Sequence, residues 1–129
     1  MSDDYVSVRY IVNDVAEAVD FYTSHLGFDV RMSAPPAFAE VLRGNLRLLI
    51  SGPLSSAGRA MADGTQPTPG GWNRIHLLVT DIASDVERLT AAGVPFRNPI
   101  VSGPGGSQAL LIDPSGNFVE LFQPLVPPA

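Results

Sequence analysis

Apolar and polar residues alternate along Val6-Ser7-Val8-Arg9-Tyr10-Ile11-Val12, the period-two pattern of a strand with two unlike faces. The period then changes. Val15, Ala18, Val19, Tyr22 and Leu26 recur at helical spacing. Asp14 stands three residues before Glu17, a capping-box spacing, and Gly27 supplies a left-handed stop. Three short strands are predicted to follow, at about Phe28–Met32, Phe38–Arg43 and Leu46–Ser51, with a turn at Arg43-Gly44-Asn45.

The same pattern is written a second time. Val12, Asp14, Ala16, Val19 and Thr23 fall over Val79, Asp81, Ala83, Val86 and Thr90, and after a one-residue gap Gly27 falls over Gly93. At the far end Gly44-Asn45-Leu46 falls over Gly116-Asn117-Phe118. Ile75, Leu77 and Val79 predict a strand, and Asp81 caps a helix carrying Ile82, Val86 and Leu89. Strands at about Pro95–Val101, Gln108–Ile112 and Phe118–Phe122 complete the unit, the last two joined through Asp113-Pro114-Ser115-Gly116-Asn117. The fold class is therefore α+β: two tandem βαβββ modules, about 5–51 and 74–124, in a single domain spanning 1–129. Residues 52–73 between them are rich in glycine and proline and read as a linker or a lid. Trp72 closes that stretch, as a stacking surface for a ligand or as an anchor for the loop. Gly103-Pro104-Gly105-Gly106-Ser107 lacks the helix and lysine of a phosphate-binding loop and is read as a hairpin loop.

Composition narrows the chemistry. The 129 residues are 45% hydrophobic, enough for a core. They include no cysteine, all eight basic residues are arginine, and His25 and His76 are the two histidines. Disulfides, thiolate metal sites, cysteine nucleophiles and Schiff-base lysines are thereby excluded. A net charge of −5 argues against nucleic acid as a partner, and no apolar run reaches the length of a membrane span. The acidic start MSDDYVSV has no signal-peptide pattern, so a cytoplasmic location is expected.

The stretches Val12-Asn13-Asp14-Val15-Ala16-Glu17-Ala18-Val19-Asp20-Phe21-Tyr22, Leu26-Gly27-Phe28 and Asp113-Pro114-Ser115-Gly116-Asn117-Phe118-Val119-Glu120-Leu121 carry a resemblance. The doubled pattern resembles the vicinal oxygen chelate superfamily of glyoxalases, bleomycin-resistance proteins and extradiol dioxygenases. The resemblance implies a cup-shaped, curved mixed sheet with helices on its outer face. It also implies a divalent metal in some members, held from the first and last strands of each module. The matching positions are Ser7, Leu48, Arg74 and Glu120, of which only Glu120 is a normal ligand; His76 lies two residues beyond Arg74. The inherited metal site reads as dismantled, with Arg74 and Glu120 able to pair in its place.

Strand alternation assigns Ser7, Arg9, Ile11, Leu46, Leu48, Ile50, Arg74, His76, Leu78, Phe118, Glu120 and Phe122 to the inner face. Mostly apolar walls with a few convergent polar groups describe a small-molecule pocket. The expected ligand-binding residues are Ser7, Arg9, Leu48, Trp72, Arg74, Phe118 and Phe122, with Glu120 and His76 as the candidate catalytic pair. The primary reading is a metal-free protein of the bleomycin-resistance type that binds a small hydrophobic or aromatic molecule. Arg9 and His76 would suit an anionic group on that ligand, or Arg9 would instead reach the rim and pair with an acid. The alternative is a divalent-metal lyase, isomerase or dioxygenase using His76 and Glu120; a third is metal-independent acid–base catalysis by Glu120. The resemblance also implies a homodimer.

Overall fold

A computed structural model of the chain describes residues 4–125. It divides into two compact units, Met1–Gly70 and Gly71–Ala129.

Unit 1 holds β1 (Val6–Ile11), α1 (Val15–His25), β2 (Asp29–Ala34), β3 (Phe38–Arg43) and β4 (Leu46–Ser51). The sheet order is β1-β4-β3-β2, with β1 parallel to β4 and the other pairs antiparallel. The helix begins where the sequence says it should, because Asp14 accepts the Glu17 N–H at 3.1 Å and satisfies an otherwise orphaned donor. It ends at Gly27, whose φ of +71° an L-residue rarely adopts. Val15, Ala18, Phe21 and Tyr22 pack onto the sheet face that carries Tyr10, Ala39, Val41, Leu48 and Ile50, all buried. Tyr22 is fully buried and meets Phe21 and Phe28 edge to face.

The connection after β4 stays with unit 1. Its first turn is tightly packed: the Ser55 hydroxyl donates to the Gly52 carbonyl and accepts from the Gly58 amide, and a Cβ on Gly58 would collide with that same Gly52 carbonyl. Further out, the Thr65 amide donates to Asp63 at 2.9 Å, and this bond and the Thr65 side chain hold the Asp63 carboxyl below its usual range.

Unit 2 repeats the plan with β5 (Ile75–Leu78), α2 (Ile82–Ala91), β6 (Val101–Gly103), β7 (Gly106–Ile112) and β8 (Phe118–Pro124), in the order β5-β8-β7-β6. Asp81 caps α2 through the Ser84 amide, and Gly93 carries a φ of +87° after it. Ile75, Leu77, Ile82, Leu89, Ala109, Leu111, Val119 and Leu121 form the core. The strand expected over Pro95–Val101 is the one element that fails. Only Val101–Gly103 is a strand, with an isolated bridge at Phe96. Pro95 and Pro99 each remove a ladder donor from that stretch, which explains the shortfall. The glycine-rich loop is the tip of the β6–β7 hairpin, with Gly103 paired to Gly106.

Candidate functional site

Strand register decides which side chains share a face. In unit 2, Ile75 pairs with Val119, His76 with Glu120, Leu77 with Leu121 and Leu78 with Phe122. Across the next interface Phe118, Glu120 and Phe122 stand opposite Ile112, Leu110 and Gln108. The face away from α2 therefore presents Arg74, His76, Leu78, Phe118, Glu120 and Phe122, as alternation predicts.

Glu120 is the centre of this face and is only 8% exposed. Its Oε1 accepts from Arg74 twice, from Nη2 at 2.9 Å and from Nε at 3.1 Å. Its Oε2 lies 3.5 Å from Nε2 of His76. Two cationic or donor groups thus brace one carboxylate, and Arg74 is itself steadied by the Trp72 carbonyl. Aromatic rings stand on both sides. Trp72, 63% exposed, packs on Phe118 with centroids 5.1 Å apart, and the Arg97 guanidinium lies 5.9 Å from the Trp72 centroid. His76 stacks on Phe122 at 4.9 Å. Phe122 has room there because Gly106 faces it; a Cβ at Gly106 would press on that ring and on the backbone of β8. Trp72 thus packs the end of the connection against Phe118 while leaving most of its ring exposed.

This donor set does not suit a divalent cation. Arg74 sits at bonding distance from Glu120, a fixed positive charge where the ion would need to be. Removing Arg74 from the count leaves His76 and Glu120, short of the three protein ligands a catalytic zinc takes. Among the described residues no group of three or more histidine and carboxylate side chains is placed to hold a metal ion.

Unit 1 corrects the expected inner face of β4. Leu48 was expected on the same face as Ser7 and Arg9, but it pairs with Val8 and Val41 and is fully buried under α1. The residues that share a face with Ser7, Arg9 and Ile11 are their partners Arg47, Leu49 and Ser51. Leu46 and Ile50 shift with Leu48. The cause is a difference in turn length. The β3–β4 hairpin turns through two residues, since Arg43 pairs with Leu46, whereas Asp113–Asn117 put five between Ile112 and Phe118. Overlaying the two turns places Leu48 on Glu120, but register places Leu49 there, and a one-residue slip exchanges the two faces. Leu49 is as incapable of coordination as Leu48.

The exposed side of unit 1 carries charge that the sequence reading missed. Arg47 Nε donates to Ser7 Oγ at 2.9 Å, and Arg9 Nη1 donates to Ser51 Oγ at 2.9 Å. Glu40 lies 3.8 Å from both Arg31 and Arg47, and Tyr5 lies beneath the same two guanidiniums. Arg9 thus meets a hydroxyl, not the acid that was one expectation for it. The available signal was parity: Arg47 and Ser51, the two polar residues of β4, are four apart and must share a face. A separate cleft of about 240 Å³ lies between Ile11–Asn13 and the connection at Pro53, Gly58 and Gln66–Pro69; it contains none of the predicted site residues.

Against known proteins, the family model for the glyoxalase/bleomycin resistance protein/dioxygenase superfamily matches residues 4–121. No curated protein matches significantly. Among solved structures, a member of that superfamily from Sphaerobacter thermophilus is 29% identical, with a TM-score of 0.75 over 92% of this chain and 95% of the other. An antibiotic binding protein, TnmS3, from a Streptomyces species is 26% identical, with a TM-score of 0.70 over 93% and 94%. Lactoylglutathione lyase from Agrobacterium tumefaciens is 22% identical, with a TM-score of 0.69 over 92% and 91%, a likeness of fold alone. The doubled βαβββ plan, the Asp113–Asn117 turn with its two buried end residues and a family match over nearly the whole chain agree: this protein belongs to the glyoxalase/bleomycin resistance protein/dioxygenase superfamily.

Proposed function

We propose that the protein is a metal-free small-molecule-binding protein, cytoplasmic and homodimeric, that holds a hydrophobic or aromatic ligand on the open face of unit 2. The observation that carries this reading is the engagement of Glu120. With Arg74 on one oxygen and His76 3.5 Å from the other, the carboxylate is a fixed part of the site wall, and a cation there would face the fixed positive charge of Arg74. What the face offers a ligand is aromatic area on Trp72, Phe118 and Phe122, and donors on the half-exposed His76 and Arg74. A planar ring stacks on the first set while an oxygen substituent accepts from the second. The antibiotic-binding neighbour, at 26% identity, supports a binding role over a catalytic one.

Thermal melting with 1-naphthol, a planar ring with one hydroxyl, tests this, because a ligand of the native state raises the melting temperature. Stabilisation is expected in the wild type, with affinity reduced about three- to tenfold in Trp72→Ala or Phe118→Ala. Stoichiometric metal in protein purified without chelator, lost in Glu120→Gln, would overturn the metal-free reading.

A further inference from the structure

The connection after β4 builds a cleft of its own within unit 1, about 240 Å³ in volume, where β1 ends. Ile11, Val12 and Asn13 form one side, and Pro53, Gly58 and Gln66–Pro69 form the other. Ile11 is the one residue taken from the open sheet face; Ser7, Arg9, Arg47 and Leu49 do not line the cleft.

Hydrogen bonds set the far wall in place. The Gly52 amide donates to the Ala37 carbonyl at 2.9 Å, and Ser55 ties Gly52 to Gly58. The Met61 amide donates to the Thr65 carbonyl at 2.8 Å and the Gly64 amide to the Met61 carbonyl at 2.9 Å, which reverses the chain. Gln66 then fastens the returning segment, its Nε2 donating to the Gly58 carbonyl at 2.7 Å. A wall braced in this way is formed before a ligand arrives, so binding need not order it. Because a carbonyl only accepts, the same bond fixes which end of the Gln66 amide faces Gly58 and leaves Oε1 as an acceptor. Among the described residues neither Gln66 Oε1 nor the Thr68 hydroxyl has a hydrogen-bond partner.

The lining restricts what can enter. None of its nine residues carries a charge or an aromatic ring. An ion would lose water there and meet no counter-charge, so the cleft selects an uncharged ligand. Three prolines with Ile11 and Val12 offer saturated carbon, not a flat ring for stacking. The volume falls below the roughly 300–1,000 Å³ of drug-sized sites and above the roughly 150 Å³ that encloses benzene, room for one ring and a substituent.

The geometry points to a second binding site, for an uncharged alcohol on a single saturated ring. The ring fills the proline-lined space, and its hydroxyl donates to Gln66 Oε1 and accepts from Thr68. The site uses nothing of the aromatic face of unit 2 and does not depend on the reading of that face.

Backbone-amide NMR titration with cyclohexanol tests the proposal, with cyclohexanone as the analogue lacking a donor and cyclohexanecarboxylate as the charged one. Cyclohexanol is expected to shift the amides of Ile11, Asn13, Gly58 and Thr68 saturably, with a Kd of about a millimolar. Cyclohexanone is expected to bind about three- to tenfold more weakly, the weight of one hydrogen bond, and the carboxylate not detectably. Thr68 is exposed, so Thr68→Val should fold and lose affinity for cyclohexanol by a similar factor, whereas Thr68→Trp fills the cleft and abolishes the shifts. Stabilisation by 1-naphthol should persist in Thr68→Trp, which separates this site from the unit 2 face. No saturable shifts, shifts confined to unit 2, equal binding of the carboxylate, or undiminished binding in Thr68→Trp would each overturn the assignment. Equal binding of cyclohexanone together with unchanged affinity in Thr68→Val would overturn recognition of the hydroxyl. Should a variant fail to fold, the comparison of the three probes on the wild type still decides.

Discussion

Leu48 and Leu49 are neighbours in the chain, and register sends their side chains to opposite faces of β4. Leu48 is fully buried against α1, so Leu48→Ala is expected to cost about 2–5 kcal/mol in urea unfolding, lost transfer energy plus a cavity. Leu49→Ala, on the half-buried open face, should cost far less. Equal costs would mean that the β1–β4 register is wrong. Arg74 presents a different balance. Removing it leaves Glu120 nearly buried with only His76 beside it. Arg74→Ala is therefore expected to destabilise by about 1–2 kcal/mol, discounted because the arginine is partly exposed. Glu120→Gln, which keeps the shape and an acceptor oxygen, should cost less than Arg74→Ala. Sequence alternation placed Glu120, Arg74, His76, Phe118 and Phe122 together correctly. It could not reveal that Arg74 reaches Glu120 with two nitrogens, or that Glu40 and Arg31 share a face with Arg9, because those facts depend on pairing between strands distant in sequence.

At the scale of elements, the strongest signals were caps and turns, whose chemistry is local. Asp113 is 3% exposed, and its Oδ1 accepts the Ser115 and Asn117 amides at 2.9 and 2.8 Å. Its Oδ2 accepts from the Asn117 side chain at 3.1 Å. This turn is a structural device: Asp113→Ala should cost about 2–3 kcal/mol by leaving buried donors unpaired, which calorimetric or urea unfolding would register. The connection is pinned just as locally. Gly58→Ala forces a methyl group onto the Gly52 carbonyl and is expected to lower stability by about 1–3 kcal/mol. A neutral result would show that the turn at 52–58 relaxes freely. The Pro95–Val101 expectation failed for the complementary reason. Its hydrophobic pattern suits a strand, but two prolines cannot donate to a ladder.

At the scale of the molecule, charge is unevenly distributed: the chain is acidic overall, yet three of its eight arginines meet on one face of unit 1. Among the described residues no helix is long and apolar enough to cross a membrane. Several exposed strand positions are apolar, including Val30 at 51%, Leu78 at 51% and Val101 at 50%, on strands that end their sheets. Exposed edges of this kind invite pairing with another chain. Light scattering after gel filtration is expected to give twice the chain mass of 13.7 kDa; a monomer at micromolar concentration would count against the homodimer.

The sequence by itself determined the doubled βαβββ plan, the helix ends, the glycine turns and the absence of thiol and amine chemistry. Each of those depends on residue type or on neighbours within a few positions, so local sterics and hydrogen bonding specify it. Only the tertiary structure decided which face of β4 points where, and what surrounds Glu120 and Glu40. Those outcomes follow from strand register, and register is fixed by how a helix and its sheet bury one face together. A turn three residues longer in one module than in the other changes it without disturbing the local pattern at all.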